Sequence, residues 1–197
     1  MYMTAIAEDM VRIPPRYFGM PLKAAALRVL RERYEGRVDP EIKAIIITVL
    51  DILEIDELGR IIPGDGGTWH RTVFELLLFR PEPNEVIEGD VVDVVEHGIF
   101  VNIGPVDGYI HVSQISPSGR VDINPVNKEV VDTATGVVIR RGDAVRAKVQ
   151  AVSFRVRPGM RPRISLTMRG GEFLGKLEEI EKRIEKIIES RGAAARG

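Results

Sequence analysis

Residues 86–116 read VIEGDVVDVVEHGIFVNIGPVDGYIHVSQIS and consist of short apolar runs separated by Gly, Asp and Pro. The runs VVDVV, IFVNI and YIHV have the β-branched and aromatic residues that are typical of strands. Residues 129–132 and 137–141 flank a four-residue turn, and residues 144–154 and 164–168 supply further strands. About five or six short strands at this spacing predict a small β-barrel or β-sandwich.

The first half of the chain predicts a small sheet covered by one helix. Residues 1–13 are compatible with a strand, and residues 43–55 predict a buried strand because β-branched residues dominate them. Residues 60–62 predict a short strand and residues 68–79 a further one. Pro21 and Gly36 bound a helix whose apolar residues recur at helical spacing. The order strand, helix, strand, strand indicates an α+β, mostly β chain and resembles a truncated RNA-recognition-motif fold.

Two prolines at 81 and 83 divide the chain, since few elements continue through such a pair. We therefore expect domains at residues 1–80 and 85–169. Residues 172–190 predict an amphipathic helix that packs either on its own domain or on a partner. Residues 191–197 carry nothing to anchor them, and we expect them to be mobile.

Composition excludes several classes of protein. The chain has no cysteine, which rules out disulfides, thiol nucleophiles and cysteine-ligated zinc. Its histidines, His70, His97 and His111, are scattered, so we expect no metal site and no cofactor. No apolar run approaches the ~20 residues that span a bilayer, and the first residues do not resemble a secretory signal. We expect a cytoplasmic protein without a membrane partner.

The net charge of −1 conceals an uneven distribution. Between residues 140 and 169 the only acidic residue is Asp143, and the basic residues are Arg140, Arg141, Arg146, Lys148, Arg155, Arg157, Arg161, Arg163 and Arg169. A positive field of this kind attracts a phosphate backbone. A solvated basic face remains the alternative.

The barrel segment, together with GDAVRAKVQAV (residues 142–152) and RISLTMR (residues 163–169), resembles the S-one RNA-binding domain. The residues that match that family in order are Gly89, Val91, Gly98, Phe100, Val101, Gly108, His111, Ser113, Gly142, Val145, Lys148, Val149, Arg163, Ile164 and Leu166. The resemblance implies an OB-fold barrel that binds RNA. Residues 116–136 exceed the usual spacing of the family.

The candidate RNA-binding residues combine planar and basic side chains, which stack on bases and meet phosphates. They are His97, Phe100, Tyr109, His111, Arg146, Lys148 and Arg163. The resemblance places His97, Phe100 and His111 on the binding face, although His97 replaces an aromatic residue and Ser153 replaces a common acidic one. A single Phe on a strand is more often a core residue, so that alternative stays open for Phe100.

VRIPPRYFG (residues 11–19), YEG (34–36), IIPGDGGTWH (61–70) and LLLFRP (76–81) resemble a second family. It is that of the E-prime stalk component of archaeal RNA polymerase, the counterpart of the seventh subunit of eukaryotic RNA polymerase II. The resemblance implies a non-catalytic stalk protein that forms a heterodimer with a helical partner, the F component of the same polymerase. The first domain would dock on the polymerase core near the clamp, and the barrel would contact nascent single-stranded RNA.

The candidate docking residues lie in two loops, and they are Val11, Arg12, Ile13, Pro14, Pro15, Gly64, Asp65 and Gly66. Two adjacent prolines present a rigid surface at low ordering cost, although an ordinary strand-ending turn is the alternative. Residues 63–67 lack the Lys-Ser/Thr pair and the following helix of a phosphate-binding loop.

Two other functions compete with a polymerase stalk protein. A free-standing S-one protein of translation initiation or RNA decay would explain the barrel but not the two loop motifs. A scaffold without RNA contact is the other alternative. An enzyme is the weakest class, because no carboxylate pair has a basic partner at useful spacing.

Overall fold

The computed structural model describes residues 1–118, 120–154 and 162–194. These residues separate into two compact units, one formed by Met1–Arg80 and the other by the residues from Pro81 onward. Each unit is mostly β and contains one α-helix, as the sequence predicts.

The first unit contains a mixed set of long and short strands around helix α1. Its elements are β1 (Tyr2–Ile13), α1 (Leu22–Tyr34), β2 (Val38–Asp39), β3 (Ala44–Ile55), β4 (Arg60–Ile61) and β5 (Thr68–Phe79). The long strands pair antiparallel in the order β1-β5-β3, with β2 at the edge of β3 and β4 beside the start of β5. The predicted order of strand, helix, strand, strand is confirmed, the short strand predicted at residues 60–62 is β4, and β2 is an addition.

Helix α1 covers one face of this sheet. Ala25, Ala26 and Leu30 are almost completely buried and belong to the same core as Val49 and Phe74. The two alanines let the helix approach the strands closely, and burying a side chain such as Leu30 contributes about 1.5–3 kcal/mol. The helix ends before Gly36, whose φ of 74° suits a residue without Cβ.

The opposite face of the sheet carries exposed apolar side chains. Ile6 is 70% exposed, Leu50 39% and Leu53 45%. Ile6 lies between Ala5 and Ala7, which pack against the core on the other side of β1. We call the surface formed by Ile6, Leu50 and Leu53 the open face, since no described element of this unit buries it.

The second unit contains nine strands and helix α2 within its described residues. They are β6 (Val86–Val95), β7 (Gly98–Asn102), β8 (Asp107–His111), β9 (Val121–Asn124), β10 (Glu129–Asp132), β11 (Val138–Arg140), β12 (Ala144–Ser153), β13 (Arg163–Thr167), β14 (Gly175–Lys176) and α2 (Leu177–Ala194). Strands β13-β8-β7-β6-β12 pair in that order, and β12 pairs with β13 to close a five-stranded barrel. The predicted OB-fold barrel is confirmed.

The barrel interior is filled by alternate residues of its strands, as period-two patterning requires. These buried residues include Val91, Val94, Ile99, Val101, Ile110, Val145, Val149, Ile164 and Leu166. Gly98 is needed at the start of β7, because a Cβ there would lie 2.1 Å from the carbonyl oxygen of Ile110. This close approach holds β7 and β8 together at the position of the candidate RNA-binding residues.

Between β8 and β12 the chain forms a small sheet in the order β11-β10-β9. The sequence predicts the β10–β11 hairpin, whereas β9 was not predicted because two of its four residues are polar and it pairs only with β10.

Helix α2 differs from its predicted bounds, since it begins at Leu177 rather than at residue 172. Residues 191–194, which we expected to be mobile, are helical, and residues 195–197 lie outside the described part. Ile180 is buried in its own unit, whereas Ile187 and Ile188 are exposed. No helix in the described part of the chain is long and apolar enough to cross a membrane.

Candidate nucleic-acid interface

Phe100, which is exposed, and Tyr109, which is half-buried, form an aromatic pair on the outer surface of the barrel. They are Cα partners on the antiparallel strands β7 and β8. Their ring centroids are 5.1 Å apart and their planes are tilted by 48°. Phe100 is 37% exposed and lies between the buried Ile99 and Val101, so it points away from the core. The alternative that Phe100 is a core residue is therefore wrong.

The pair is held in place by polar contacts at the end of β8. The hydroxyl of Tyr109 donates to the backbone carbonyl of His97 at 2.9 Å. The same carbonyl accepts a hydrogen bond from the backbone N–H of Val112 at 2.8 Å. Both contacts fix the β6–β7 turn beside the rings, which favours a preformed stacking surface.

The two histidines flank this pair. His97 lies exposed in the β6–β7 turn, and His111 is the exposed last residue of β8. The Nδ1 atom of His111 accepts from the backbone N–H of Ser113 at 3.3 Å and lies 2.9 Å from its hydroxyl. His111 therefore caps the short 3₁₀ turn Val112–Gln114. Its ring remains beside Tyr109 on the outer surface, since residues i and i+2 of a strand share a face.

The three candidate cations do not share one environment. Arg163 is the exposed first residue of β13, the strand next to β8, and forms no ion pair within the described residues. Lys148 is half-buried on β12, in register with Thr167 of β13. Arg146 shares the outward face of β12 with Lys148, two residues away, and its guanidinium donates to Glu88 of β6 at 2.8 and 2.6 Å. Because Arg146 is paired with Glu88, a phosphate would compete with that carboxylate for the guanidinium.

Three further basic residues of the predicted patch, Arg155, Arg157 and Arg161, lie outside the described residues. The candidate interface is therefore defined by the aromatic pair, the two histidines and the cations on β12 and β13.

The structure corrects the prediction that Val11 and Ile13 of the first loop contact a partner. Val11 and Ile13 are 1% and 2% exposed and belong to the core under α1, so their side chains cannot meet a partner. They alternate with Arg12, which points outward. Pro14 is half-buried, and Pro15 is exposed at the start of a 3₁₀ turn.

The two docking loops are joined by Asp65. Its carboxylate accepts hydrogen bonds from the Arg12 guanidinium, from the backbone N–H of Gly67 at 3.0 Å and from Trp69 Nε1 at 2.9 Å. Gly64 and Gly66 on either side are exposed. The hydrogen bond from Arg12 and the two others hold the pKa of Asp65 well below its usual range. The two loops thus form one surface, which is consistent with both motifs belonging to the same family pattern.

The lowered pKa of Asp65 predicts how the fluorescence of Trp69 changes as the pH is lowered. Because its folded-state pKa is lowered, its interactions stabilise the loops above the unfolded value of about 3.9 and are lost only as pH falls through the lower folded value. Trp69 is the single tryptophan of the chain, so its fluorescence reports on this carboxylate. We expect no step near pH 4 and a step at lower pH that is missing in Asp65→Asn. A step near pH 4 that Asp65→Asn abolishes would contradict the geometry.

Comparison with known proteins decides between the RNA polymerase stalk family and a free-standing S-one protein. The domain family described as SHS2, found in the N terminus of Rpb7p/Rpc25p/MJ0397, matches residues 8–66, and the S1 RNA binding domain matches residues 80–158. The chain is 39% identical over 180 residues to the DNA-directed RNA polymerase subunit Rpo7 of Saccharolobus shibatae, covering 91% of this chain and 97% of that one. The chain belongs to the Rpo7/Rpb7 family of RNA polymerase subunits.

Other members of the Rpo7/Rpb7 family extend this match. Subunit Rpo7 of Sulfolobus acidocaldarius is 37% identical over 187 residues, covering 94% of this chain and 98% of that one. Subunit rpb7 of RNA polymerase II from Schizosaccharomyces pombe is 31% identical over 142 residues, or 71% and 80% of the two chains. The predicted relationship to E-prime is confirmed, and with it a non-catalytic subunit whose polymerase carries catalysis in other subunits.

Sequence reasoning missed the apolar side chains around the second docking loop. Leu58 is 91% exposed, Ile61 75% and Ile62 48%. They flank Gly59 and Pro63, and the signal that could have found them is apolar residues inside a turn-forming stretch, where burial is unavailable.

Proposed function

We propose that this chain is the polymerase subunit that contacts the nascent transcript, with the barrel as a single-stranded RNA-binding surface. The observation that carries the proposal is the outward-facing Phe100–Tyr109 pair, with Phe100 exposed, on an S1-type barrel. Bases stack on such rings whatever their identity, so we expect binding that tolerates different sequences. His97 and His111 beside the pair offer further planar surfaces.

The cations provide the experiment that tests this interface. Arg163→Ala is expected to flatten the dependence of log affinity on log salt by roughly 0.7, because one phosphate contact is lost. Arg146→Ala removes the same charge from a residue already paired with Glu88, so we expect a smaller change in slope. The measurement is a salt titration of single-stranded RNA affinity for both variants and for the unsubstituted chain. Equal slopes for the three proteins would leave the basic residues as a solvated face.

The first unit is proposed to attach the chain to the polymerase core near the clamp. The loops joined by Arg12 and Asp65 present Pro15, Gly64 and Gly66 at the surface. The exposed Leu58, Ile61 and Ile62 supply apolar area that a monomer rarely leaves uncovered in one place. These three residues replace Val11 and Ile13 as the apolar part of the docking surface.

A helical partner, the F component of the polymerase stalk, is proposed to cover the open face. A sheet that buries only one face against a helix leaves the other to be covered by a second layer. Ile6, Leu50 and Leu53 provide the apolar area for such a layer. A helix with an apolar stripe buries this kind of surface well.

A further inference from the structure

One side of the Phe100–Tyr109 pair has no phosphate-contacting residue assigned to it. Arg163 lies beyond β8 on β13. Lys148 lies on β12, which closes the barrel between β13 and β6, and it is the Cα partner of Val86 at the start of β6 rather than of a residue near Asp93. On the opposite side the neighbouring strand is β6, where Asp93 is the Cα partner of Phe100. A carboxylate in that position would repel RNA unless it is neutralised.

Asp93 is neutralised by the small sheet. Lys128 lies in the β9–β10 turn with a φ of 52°, and its Nζ is 2.7 Å from the Asp93 carboxylate. The same ammonium donates to the carbonyl oxygen of Val94 at 3.1 Å. The hydrogen bond from Lys128 is the largest cause that lowers the pKa of Asp93. The turn is thus attached to β6, one strand away from Phe100.

Arg141 follows β11 and is held against the same strand by its backbone. Its N–H donates to the carbonyl of Lys128 at 3.2 Å. The N–H of Gly142 donates to the carbonyl of Val91 at 2.8 Å, and the N–H of Val91 donates to the carbonyl of Asp143 at 2.9 Å. Gly142 has a φ of 91°, which a residue with Cβ rarely adopts. Arg141 is therefore bonded to the β9–β10 turn, and the two residues that follow it are bonded to Val91 of β6.

The side chain of Arg141 is exposed and forms no hydrogen bond or ion pair within the described residues. It lies close enough to Asp93 for its charge to contribute to the lowered pKa of that carboxyl. Since Lys128 already pairs with Asp93, the Arg141 guanidinium is left without a carboxylate in ion-pair contact among the described residues.

We propose that Arg141 contacts a phosphate of the RNA on the β6 side of the aromatic pair. The RNA strand then runs across β6, β7 and β8, from Arg141 over Phe100 and Tyr109 towards Arg163. This inference rests on the proposed RNA-binding function of the barrel and adds a residue from the segment between β8 and β12. It makes that segment part of the binding surface rather than an appended hairpin.

The experiment compares Arg141→Ala with Arg140→Ala in the full chain. Arg140 is the adjacent exposed arginine, but its Nε pairs with Glu129 at 3.2 Å within the small sheet. We expect Arg141→Ala to weaken single-stranded RNA binding about fivefold near 0.1 M salt and to flatten the log–log salt dependence by roughly 0.7. Arg140→Ala should retain the original slope, and so should Arg141→Lys, which keeps the charge. Thermal melting of each variant verifies that the fold is intact.

The outcomes separate this inference from the proposed function. If the unsubstituted chain binds RNA and Arg141→Ala has an unchanged slope, or changes it no more than Arg140→Ala does, the inference is wrong and RNA binding stands. If the unsubstituted chain does not bind single-stranded RNA at any salt concentration, the proposed function itself fails.

Discussion

Phe100→Ala is expected to weaken single-stranded RNA binding by about 1–3 kcal/mol while leaving the salt dependence nearly unchanged. The ring is exposed and contributes stacking area but no charge, so its loss removes no phosphate contact. Affinity titrations on two RNAs of unrelated sequence, each at several salt concentrations, measure both quantities. The loss should be similar for the two RNAs because every base has a face on which to stack.

The matched control is Phe173→Ala. Phe173 is another exposed phenylalanine of the same unit, and it precedes α2 instead of lying on the barrel strands. An equal loss of binding in Phe173→Ala would show that the effect does not come from the aromatic pair. A sharp fall in melting temperature for Phe100→Ala would instead show that its ring supports the barrel.

The outward position of Phe100 could be predicted because strand alternation and the family pattern agree there. IFVN alternates a buried Ile99 and Val101 with the exposed Phe100, and the same period governs the other barrel strands. The prediction that Val11 and Ile13 contact a partner is wrong because it overlooks the same strand alternation. The Pro-Pro pair predicts a contact loop, but V-R-I before it continues strand β1, whose alternation buries the first and third of these residues.

Which of the basic side chains are paired with carboxylates could not be predicted, because the pairing depends on strand register. Glu88 and Arg146 are far apart in sequence and meet only because β6 and β12 pair antiparallel with these residues opposite each other. A count of basic residues therefore identifies a positive segment without showing which charges are already compensated. Arg141, a cation without an ion pair among the described residues, could not be predicted either. Its position depends on its hydrogen bond to Lys128, and Lys128 lies within residues 116–136, which exceed the family spacing.

A charged substitution on the open face is expected to have a second large effect, on assembly with the other polymerase subunits. Leu53→Lys is expected to abolish the proposed complex with a helical partner, because burying an unpaired ammonium in an apolar interface costs several kcal/mol. Folding should be retained, since Leu53 is already 45% exposed in the isolated unit. Co-expression of the chain with its polymerase, followed by purification and measurement of subunit stoichiometry, detects the missing partner.

Ile61→Lys is the matched variant on the proposed docking surface, where Ile61 is 75% exposed in the loop region of the Arg12–Asp65 contact. If the two surfaces have separate partners, Ile61→Lys weakens attachment to the polymerase core and keeps the helical partner, whereas Leu53→Lys does the reverse. Retention of the helical partner by Leu53→Lys would exclude the open face as its binding surface. Loss of both partners in both variants would show that the two contacts depend on each other, because separate surfaces require that each substitution removes only its own partner.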